Sequence, residues 1–240
     1  MHHRPKTVLG MLAALLALCI ATLAVHAEED QPPGGHRAPI QLRILCFQPV
    51  AGAEALTLRQ GDDGTPHDID LVPSMVSDPI GIGRGELILT RREAAVAGAS
   101  PLLRIPLPDG GTRFALVLWP AAASETDRVY RHILIRTDNL RFNTSDLHLM
   151  NLTKVPVGGT LGTRRFTLNP GGSKIIRPDP PAGDRMYQAR FFHEIDGQAR
   201  LFSDTRWPLA ASARVYLFFI PDAQGQSITY LSFREYAPFP

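Results

Sequence analysis

Short apolar runs, each ended by Gly, Pro, Asp or Asn, follow one another from Ile40 to the C-terminus. Their spacing of roughly 8–12 residues, with turn residues between them, is typical of an antiparallel β-sandwich or barrel. A parallel α/β fold is disfavoured, because no helical pattern of about 10–15 residues lies between the runs. The best helix candidate, Arg92–Gly98, would form only about two turns. The sequence therefore predicts an all-β chain.

The predicted strands form two series, and a chain of 240 residues is long enough for two domains of about 100 residues, each with its own core. The first series comprises Gln41–Phe47, Ala55–Gln60, His67–Val72, Glu86–Arg91, Leu102–Leu107, Thr112–Trp119 and Val129–Arg136. The second series comprises Asp146–Leu152, Gly158–Leu161, Arg164–Leu168, Lys174–Arg177, Met186–Glu194, Ala199–Arg206, Arg214–Ile220 and Ile228–Tyr236.

The two series are similar to each other at a nearly constant offset. RFALVLWP at Arg113–Pro120 aligns with RVYLFFIP at Arg214–Pro221, 101 residues later. The opening runs, QLRILCF at Gln41–Phe47 and DLHLMNL at Asp146–Leu152, are 105 residues apart. A shared offset over about 100 residues indicates a duplicated β-domain. Chance similarity between two β-rich halves is the alternative explanation.

The last strand of each series extends the similarity, since VYRHILIR at Val129–Arg136 aligns with ITYLSFRE at Ile228–Glu235. We therefore expect two tandem immunoglobulin-like antiparallel β-sandwich domains, at residues 40–138 and 139–240, with an internal duplication as one origin of their likeness.

The Asp-Gly dipeptide at residues 196–197 is a strong signal for a two-residue hairpin turn between apolar strands. Counting outward from this turn places Phe192 opposite Leu201 and Phe191 opposite Phe202. We expect these cross-strand pairs to stabilise the second domain.

Aromatic residues are concentrated in the second half of the chain. Four lie between Glu28 and Asp138, and fourteen lie between Asn139 and Pro240. Each buried aromatic side chain removes about 150–250 Å² from water. We therefore expect the second half to be the more stable one, and limited proteolysis to degrade the first half sooner.

The N-terminus has the layout of a secretory signal peptide. Arg4 and Lys6 precede an uncharged stretch, Val8–Val25, and a small-x-small sequence follows that ends at Ala27. We expect residues 1–27 to be a signal peptide that is cleaved after Ala27.

Other interpretations of this segment stay open. Val8–Val25 just reaches membrane-spanning length, so an uncleaved anchor is one alternative. Lipid attachment at Cys19 is disfavoured, because Leu18 precedes it where a small residue is expected. We expect an exported protein, periplasmic or extracellular, with a flexible Pro/Gly-rich linker at residues 28–39. Membrane contact is expected only through an uncleaved signal segment.

This layout resembles that of two-domain immunoglobulin-like periplasmic proteins, the pilus chaperones among them. The resemblance covers the size, the signal peptide and the number of strands. It implies the fold alone, because the basic anchor residues of the pilus chaperones have no match in this sequence.

Charge argues against a nucleic-acid partner. Without residues 1–27 the chain carries 23 basic and 23 acidic side chains, a net charge of zero. Arg91-Arg92 and Arg164-Arg165 are its only adjacent basic pairs. A phosphate backbone needs a basic surface, which this composition does not supply.

Local catalytic motifs are absent from the sequence: it has no G-x-S-x-G elbow, no Walker A loop and no H-E-x-x-H helix. Gly81–Gly85 resembles a phosphate loop, but a strand follows it where a helix is needed, so we interpret it as a flexible lead-in to a strand. After signal cleavage Cys46 stands alone, which excludes an intramolecular disulfide; we expect it to be a small buried apolar residue. No cofactor is expected.

Metal binding has weak candidates only. Asp62 and Asp63 lie in an acidic turn beside Asp68 and Asp70, which share one face of a predicted strand. Calcium requires about six to eight oxygen ligands. A solvated turn is the favoured interpretation of these four residues.

The sequence favours a secreted, non-catalytic β-sandwich that binds or scaffolds a macromolecular partner, a protein or a glycan, in the bacterial cell envelope. A carbohydrate-binding module is one alternative, with Trp207 beside Pro208 as the weak candidate for a binding residue. A hydrolase whose active site gathers distant residues is the other. Enzymatic activity is not favoured, since no motif supports it.

Overall fold

The computed structural model describes residues 40–62, 64–94, 100–122, 125, 127–195, 197–222 and 227–237. Within them the chain is nearly all β. The first eight strands are β1 (Ile40–Cys46), β2 (Ala55–Gln60), β3 (His67–Asp70), β4 (Ile80–Ile82), β5 (Glu86–Arg91), β6 (Leu103–Pro106), β7 (Arg113–Pro120) and β8 (Tyr130–Arg136). The next eight are β9 (Leu147–Asn151), β10 (Val157–Leu161), β11 (Arg164–Leu168), β12 (Ser173–Ile176), β13 (Met186–Ile195), β14 (Gln198–Pro208), β15 (Ala213–Pro221) and β16 (Ile228–Tyr236).

The signal peptide predicted at residues 1–27 and the linker predicted at residues 28–39 lie outside the described residues. Among the described residues, no helix has the length and apolar character needed to cross a membrane.

Strand order is the same in both halves, which we call the first lobe (β1–β8) and the second lobe (β9–β16). In the first lobe an inner sheet has the order β4-β1-β7-β8 and an outer sheet the order β3-β2-β5-β6. In the second lobe the inner sheet is β12-β9-β15-β16 and the outer sheet is β11-β10-β13-β14. Each strand therefore has a counterpart eight strands later in the chain. The prediction of tandem β-sandwiches is confirmed.

Strand register repeats as well. Leu42 on β1 lies opposite Phe114 on β7, and Leu147 on β9 lies opposite Val215 on β15. These residues are related by the offsets of 105 and 101 that align the sequences. A repeat of both order and register favours a duplicated unit over chance similarity.

The last strands depart from the alignment by one residue. Arg136 on β8 pairs with Phe114, and Arg234 on β16 pairs with Val215. The structural offset between these strands is therefore 98, whereas the sequence alignment implies 99. Because neighbours along a strand point to opposite faces, this shift decides which β16 side chains face the second core.

The immunoglobulin-like arrangement is not confirmed. Immunoglobulin sandwiches pair their first strand with the second, whereas here β1 lies between β4 and β7. The β1–β7 and β9–β15 pairs are parallel, while the other strand pairs of the four sheets are antiparallel. A backbone bond from the Gln41 N–H to the Thr112 carbonyl shows that β1 and β7 start at the same end of the lobe.

Each lobe encloses an apolar core between its inner and outer sheets. In the first lobe Leu116 of the inner sheet and Leu58 of the outer sheet belong to one fully buried cluster. In the second lobe Leu217 and Phe191 occupy the corresponding layers. Burial of these faces explains the alternating pattern of the outer strands.

A third cluster packs the two inner sheets against each other. It joins Leu45, Val117 and Trp119 of the first lobe to Met150, Tyr216 and Phe218 of the second. The inner sheets are thus covered on both faces, and the order of layers is outer, inner, inner, outer. Strands buried on both faces become continuous apolar runs, which is why RFALVLWP and RVYLFFIP show no alternation.

The β13–β14 hairpin differs from its predicted register in one place. Phe192 pairs with Leu201 as predicted, but the predicted pairing of Phe191 with Phe202 is wrong, because Phe191 pairs with Ser203. The register shifts at this point, so Phe202 is the extra residue of a β-bulge. The sequence pattern contains no signal for this bulge.

Two segments differ from their predicted form. Ile80–Ile82 forms the edge strand β4, so Gly81 lies in a strand rather than in a flexible lead-in. Its short length and its glycine weaken the sequence signal for a strand. The helix candidate contributes a single 3-10 turn at Arg92–Ala94, and residues 95–99 lie outside the described part of the chain.

Candidate functional site

A cleft of about 250 Å³ opens in the second lobe where the edge strands β14 and β16 lie near each other. We call it the aromatic cleft. It is lined by three aromatic side chains (Tyr187, Trp207 and Tyr230), two polar ones (Ser232 and Arg234) and three small apolar ones (Pro208, Ala210 and Val215).

The hairpin register places two of the rings. Trp207 near the end of β14 lies directly opposite Tyr187 on β13, with ring centroids 6.3 Å apart. Without the bulge at Phe202, counting from the turn would place Arg206 opposite Tyr187. The bulge therefore brings Trp207 onto the cleft side of its strand.

The second wall of the aromatic cleft is formed by alternate side chains of β16. Tyr230, Ser232 and Arg234 point to the same face, because they are separated by two residues each. Tyr230 lies toward the core and packs against it, whereas Ser232 and Arg234 are exposed. The wall thus changes from aromatic to polar as the strand leaves the core.

Two of the three rings, Trp207 and Tyr230, pack against Phe191, whose side chain is fully buried. Its centroid lies 5.5 Å from that of Trp207 and 5.4 Å from that of Tyr230, both in edge-to-face geometry. Trp207 and Tyr230 are themselves 5.5 Å apart. Such contacts fix the ring orientations before any ligand arrives.

Two polar groups of the cleft have no partner among the described residues. Tyr187 is 3% exposed as a whole residue; no described residue forms a hydrogen bond with its hydroxyl, which is open to solvent at the cleft. No described carboxylate forms an ion pair with the exposed guanidinium of Arg234. Burial raises the pKa of Tyr187, while the positive charge of Arg234 acts in the opposite direction. The hydroxyl therefore keeps its proton at neutral pH and can donate a hydrogen bond to a ligand.

The lining of the aromatic cleft has no carboxylate, histidine or thiol. Glycoside hydrolysis usually requires two carboxylates across the bond that is cleaved. The described residues contain no group of three or more His, Cys, Asp or Glu side chains that could hold a metal ion. The cleft can bind and orient a ligand, and its lining offers no group that would transfer a proton at neutral pH.

The residues predicted as weak metal ligands are engaged with arginines. Asp70 forms an ion pair with Arg92 at 2.9 Å, and Asp68 lies 3.4 Å from the same guanidinium. Asp62 pairs instead with Arg104, at 3.2 Å. Asp63 lies outside the described residues. Asp62 of the turn and the two aspartates of β3 therefore pair with two different arginines.

Cys46 is buried, as expected, and lines a small pocket of about 50 Å³ in the first lobe. Loss of hydration raises the pKa of its thiol to about 11. A reactive cysteine requires a lowered pKa, so this thiol stays protonated and unreactive at neutral pH.

The first lobe has no equivalent of the unpartnered tyrosine. Tyr130 on β8 accepts a hydrogen bond from the Val50 N–H at 2.8 Å and donates one to the Ala53 carbonyl at 3.0 Å. A loop of its own lobe therefore satisfies this hydroxyl. Tyr130 thus has two backbone partners, whereas Tyr187 has none among the described residues.

Sequence reasoning selected Trp207, and the structure places it in the aromatic cleft. It missed Tyr187, Tyr230, Ser232 and Arg234. The alternation of ITYLSFREY could have placed the last three on one face. Tyr187 could not be assigned, because its pairing with Trp207 depends on the bulge. No family model and no curated protein matches this chain.

Proposed function

We propose that this chain is an exported, non-catalytic binding protein that holds a macromolecular partner of the bacterial cell envelope through the aromatic cleft. The cleft is the observation that carries the proposal. It combines preoriented rings, an unpartnered hydroxyl and an unpaired cation, and its lining lacks the carboxylates that hydrolysis would need. Sites of this composition bind ligands by shape and a few polar contacts.

The rest of the molecule supports a binding role through rigidity. The inner sheets pack face to face through a continuous apolar cluster. Interfaces of this kind suppress the domain motions that smaller, more polar interfaces permit. The aromatic cleft is thus held on a stiff four-layered body, which lowers the entropy lost on binding.

Affinity capture with a blocked cleft tests this proposal. The mature chain is immobilised and exposed to envelope extract, and the retained protein and glycan are analysed separately. Ser232→Trp introduces a bulky side chain into the cleft at an exposed position. We expect this variant to lose the material that the unmodified chain retains.

Ser173→Trp is the matched control, because Ser173 is an exposed serine on β12, at the opposite edge of the same sheet. It should retain the same material as the unmodified chain. Equal capture by both tryptophan variants, or no capture above an uncoated surface, would contradict the proposal.

A further inference from the structure

We infer that the aromatic cleft binds a saccharide that carries a carboxylate, with the sugar ring against Trp207 and Tyr230 and the carboxylate on Arg234. This inference rests on the proposed function and names its ligand class. It depends on the size of the cleft, on its rings, on its charge and on the hydroxyl of Tyr187, which has no partner among the described residues.

The size of the cleft favours a small rigid group. Its volume of about 250 Å³ lies below the range of about 300–1,000 Å³ that is usual for drug-sized ligands. One saturated six-membered ring is a group of suitable size. The apolar faces of sugar rings stack on aromatic side chains, and Trp207 and Tyr230 are held 5.5 Å apart at the cleft.

Charge selects among saccharides. Arg234 lines the cleft, and no carboxylate shares that lining. An unpaired guanidinium favours a planar anion, which it can hold through two parallel N–H···O bonds. A carboxylate on the sugar supplies such an anion. A neutral sugar would leave this cation without a counterpart.

The hydroxyl of Tyr187, the polar end of an otherwise buried side chain, gives a second, independent indication of a polar ligand. The side chain is 3% exposed, lines the cleft and has no hydrogen-bond partner among the described residues. A sugar hydroxyl or ring oxygen would provide one, and Ser232 can bind a neighbouring hydroxyl.

An extended peptide fits these observations less well. Edge strands recruit peptides through main-chain hydrogen bonds. Neither the Tyr187 hydroxyl nor the Arg234 guanidinium supplies those bonds. A peptide is therefore an outcome of the test rather than the proposed occupant.

Tryptophan fluorescence with defined saccharides tests the inference. The sequence contains two tryptophans, and Trp119 is buried between the inner sheets, so a Trp119→Phe background leaves Trp207 as the sole reporter. Oligogalacturonate is titrated against the galactose oligomer in which each carboxylate is reduced to a hydroxymethyl group. We expect saturable change with oligogalacturonate and at least about tenfold weaker binding of the neutral oligomer, because a charge-assisted bond is lost.

Three variants assign the contacts. Arg234→Gln should weaken oligogalacturonate binding about tenfold and abolish the preference for the charged oligomer. Tyr187→Phe, which removes a single oxygen, should weaken both oligomers about fivefold. Arg165→Gln removes an equal charge from an exposed position on β11, at the opposite edge of the outer sheet, and should change nothing.

Equal binding of the two oligomers, or equal effects of Arg234→Gln and Arg165→Gln, would overturn the inference. Failure of both oligomers to bind would also overturn it. In that case a protein retained by the unmodified chain and lost by Ser232→Trp would preserve the proposed function and favour a peptide occupant. Loss of both results would reject the inference and the proposed function together.

Discussion

The two lobes share strand order and register but not chemistry. In the first lobe the core between the sheets is mostly leucine and isoleucine, with Phe114 and Tyr130 as its fully buried rings. In the second lobe Phe166, Phe191 and Phe219 pack together, and partly buried rings continue to the surface. One topology therefore accommodates two different cores, and the aromatic core of the second lobe extends into the aromatic cleft.

Corresponding positions show how far the lobes have diverged. Arg113 and Arg214 occupy the same register position, 101 residues apart. Arg113 is half-buried, whereas Arg214 is 4% exposed. Arg214 donates to Glu235 at 2.7 Å and to the carbonyls of Phe142 and Thr137, which lie in the segment between the lobes. The second lobe thus contains a buried ion pair at a position where the first has a half-buried arginine.

Replacing these two arginines gives the largest predicted contrast. Arg214→Ala should lower the free energy of unfolding by about 3–5 kcal/mol, because Glu235 is left buried without its counter-charge. Arg113→Ala should cost less than about 1 kcal/mol. Urea unfolding followed by circular dichroism measures both. Similar losses for the two variants would show that the ion pair does not distinguish the lobes.

The pair Cys46 and Asn151 provides the second contrast. They occupy equivalent positions on β1 and β9, but Asn151 donates to the carbonyls of Val155 and Leu168 and accepts from the Thr153 hydroxyl. Asn151→Ala should cost about 2–4 kcal/mol, since buried groups lose their partners.

Cys46→Ala should cost only about 1 kcal/mol, because it removes one buried sulfur atom and no essential hydrogen bond. The same urea experiment checks it. A loss for Cys46→Ala that equals or exceeds the loss for Asn151→Ala would contradict the view that buried hydrogen bonds matter more at this position in the second lobe.

Exchange of core residues gives a smaller effect. Phe219 and Leu118 are equivalent and fully buried. Phe219→Leu should cost roughly 1–3 kcal/mol by opening a gap beside Phe166 and Phe191, and Leu118→Phe a similar amount by overpacking. Thermal unfolding by calorimetry measures both. Neutral results for both exchanges would mean that the cores are interchangeable despite their different composition.

The smallest predicted effect concerns pH at the packed inner sheets. Burial lowers the pKa of His148, whose ring lies beside Phe142 and Tyr216. An unfolded imidazole titrates near about 6.5. Above about pH 6.5 the ring is neutral in both states, and its burial has no electrostatic cost. As the pH falls from there through the lower pKa of the folded state, protonation favours the unfolded chain, and the protein loses stability.

His148→Gln should reduce the loss of stability between pH 7 and pH 5 by under about 1 kcal/mol. Urea midpoints at the two pH values measure this. An unchanged pH dependence in the variant would exclude His148 as its source.

The sequence predicted much of this fold for a physical reason. Turn residues and apolar runs are local signals, so every strand except β4 was found, with small errors at the strand ends. The offset between RFALVLWP and RVYLFFIP indicated a duplicated β-domain, and the pairing of β1 with β7 recurs in that of β9 with β15. Neither of these two segments alternates between apolar and polar residues. The reason is that the inner sheets pack against each other, so both faces of β7 and β15 are buried.

What the sequence did not predict depends on long-range pairing. The parallel β1–β7 contact joins strands far apart in the chain. The bulge at Phe202 places Trp207 opposite Tyr187, and no residue pattern in the sequence predicts this bulge. Of the candidate site, the sequence therefore predicted Trp207 alone. The other four residues, Tyr187, Tyr230, Ser232 and Arg234, come together with it only in the folded chain. The greater resistance of the second half to proteolysis stays a prediction.

Site-specific photocross-linking most directly tests the claim that recognition belongs to the second lobe. A photoreactive residue is placed at Ser232 in the aromatic cleft, and in a parallel sample at Leu134, its equivalent on β8 of the first lobe. Both proteins are irradiated in envelope extract. The account predicts a saturable cross-linked product from position 232 and little or none from position 134. Equal yields, or a product from position 134 alone, would contradict it.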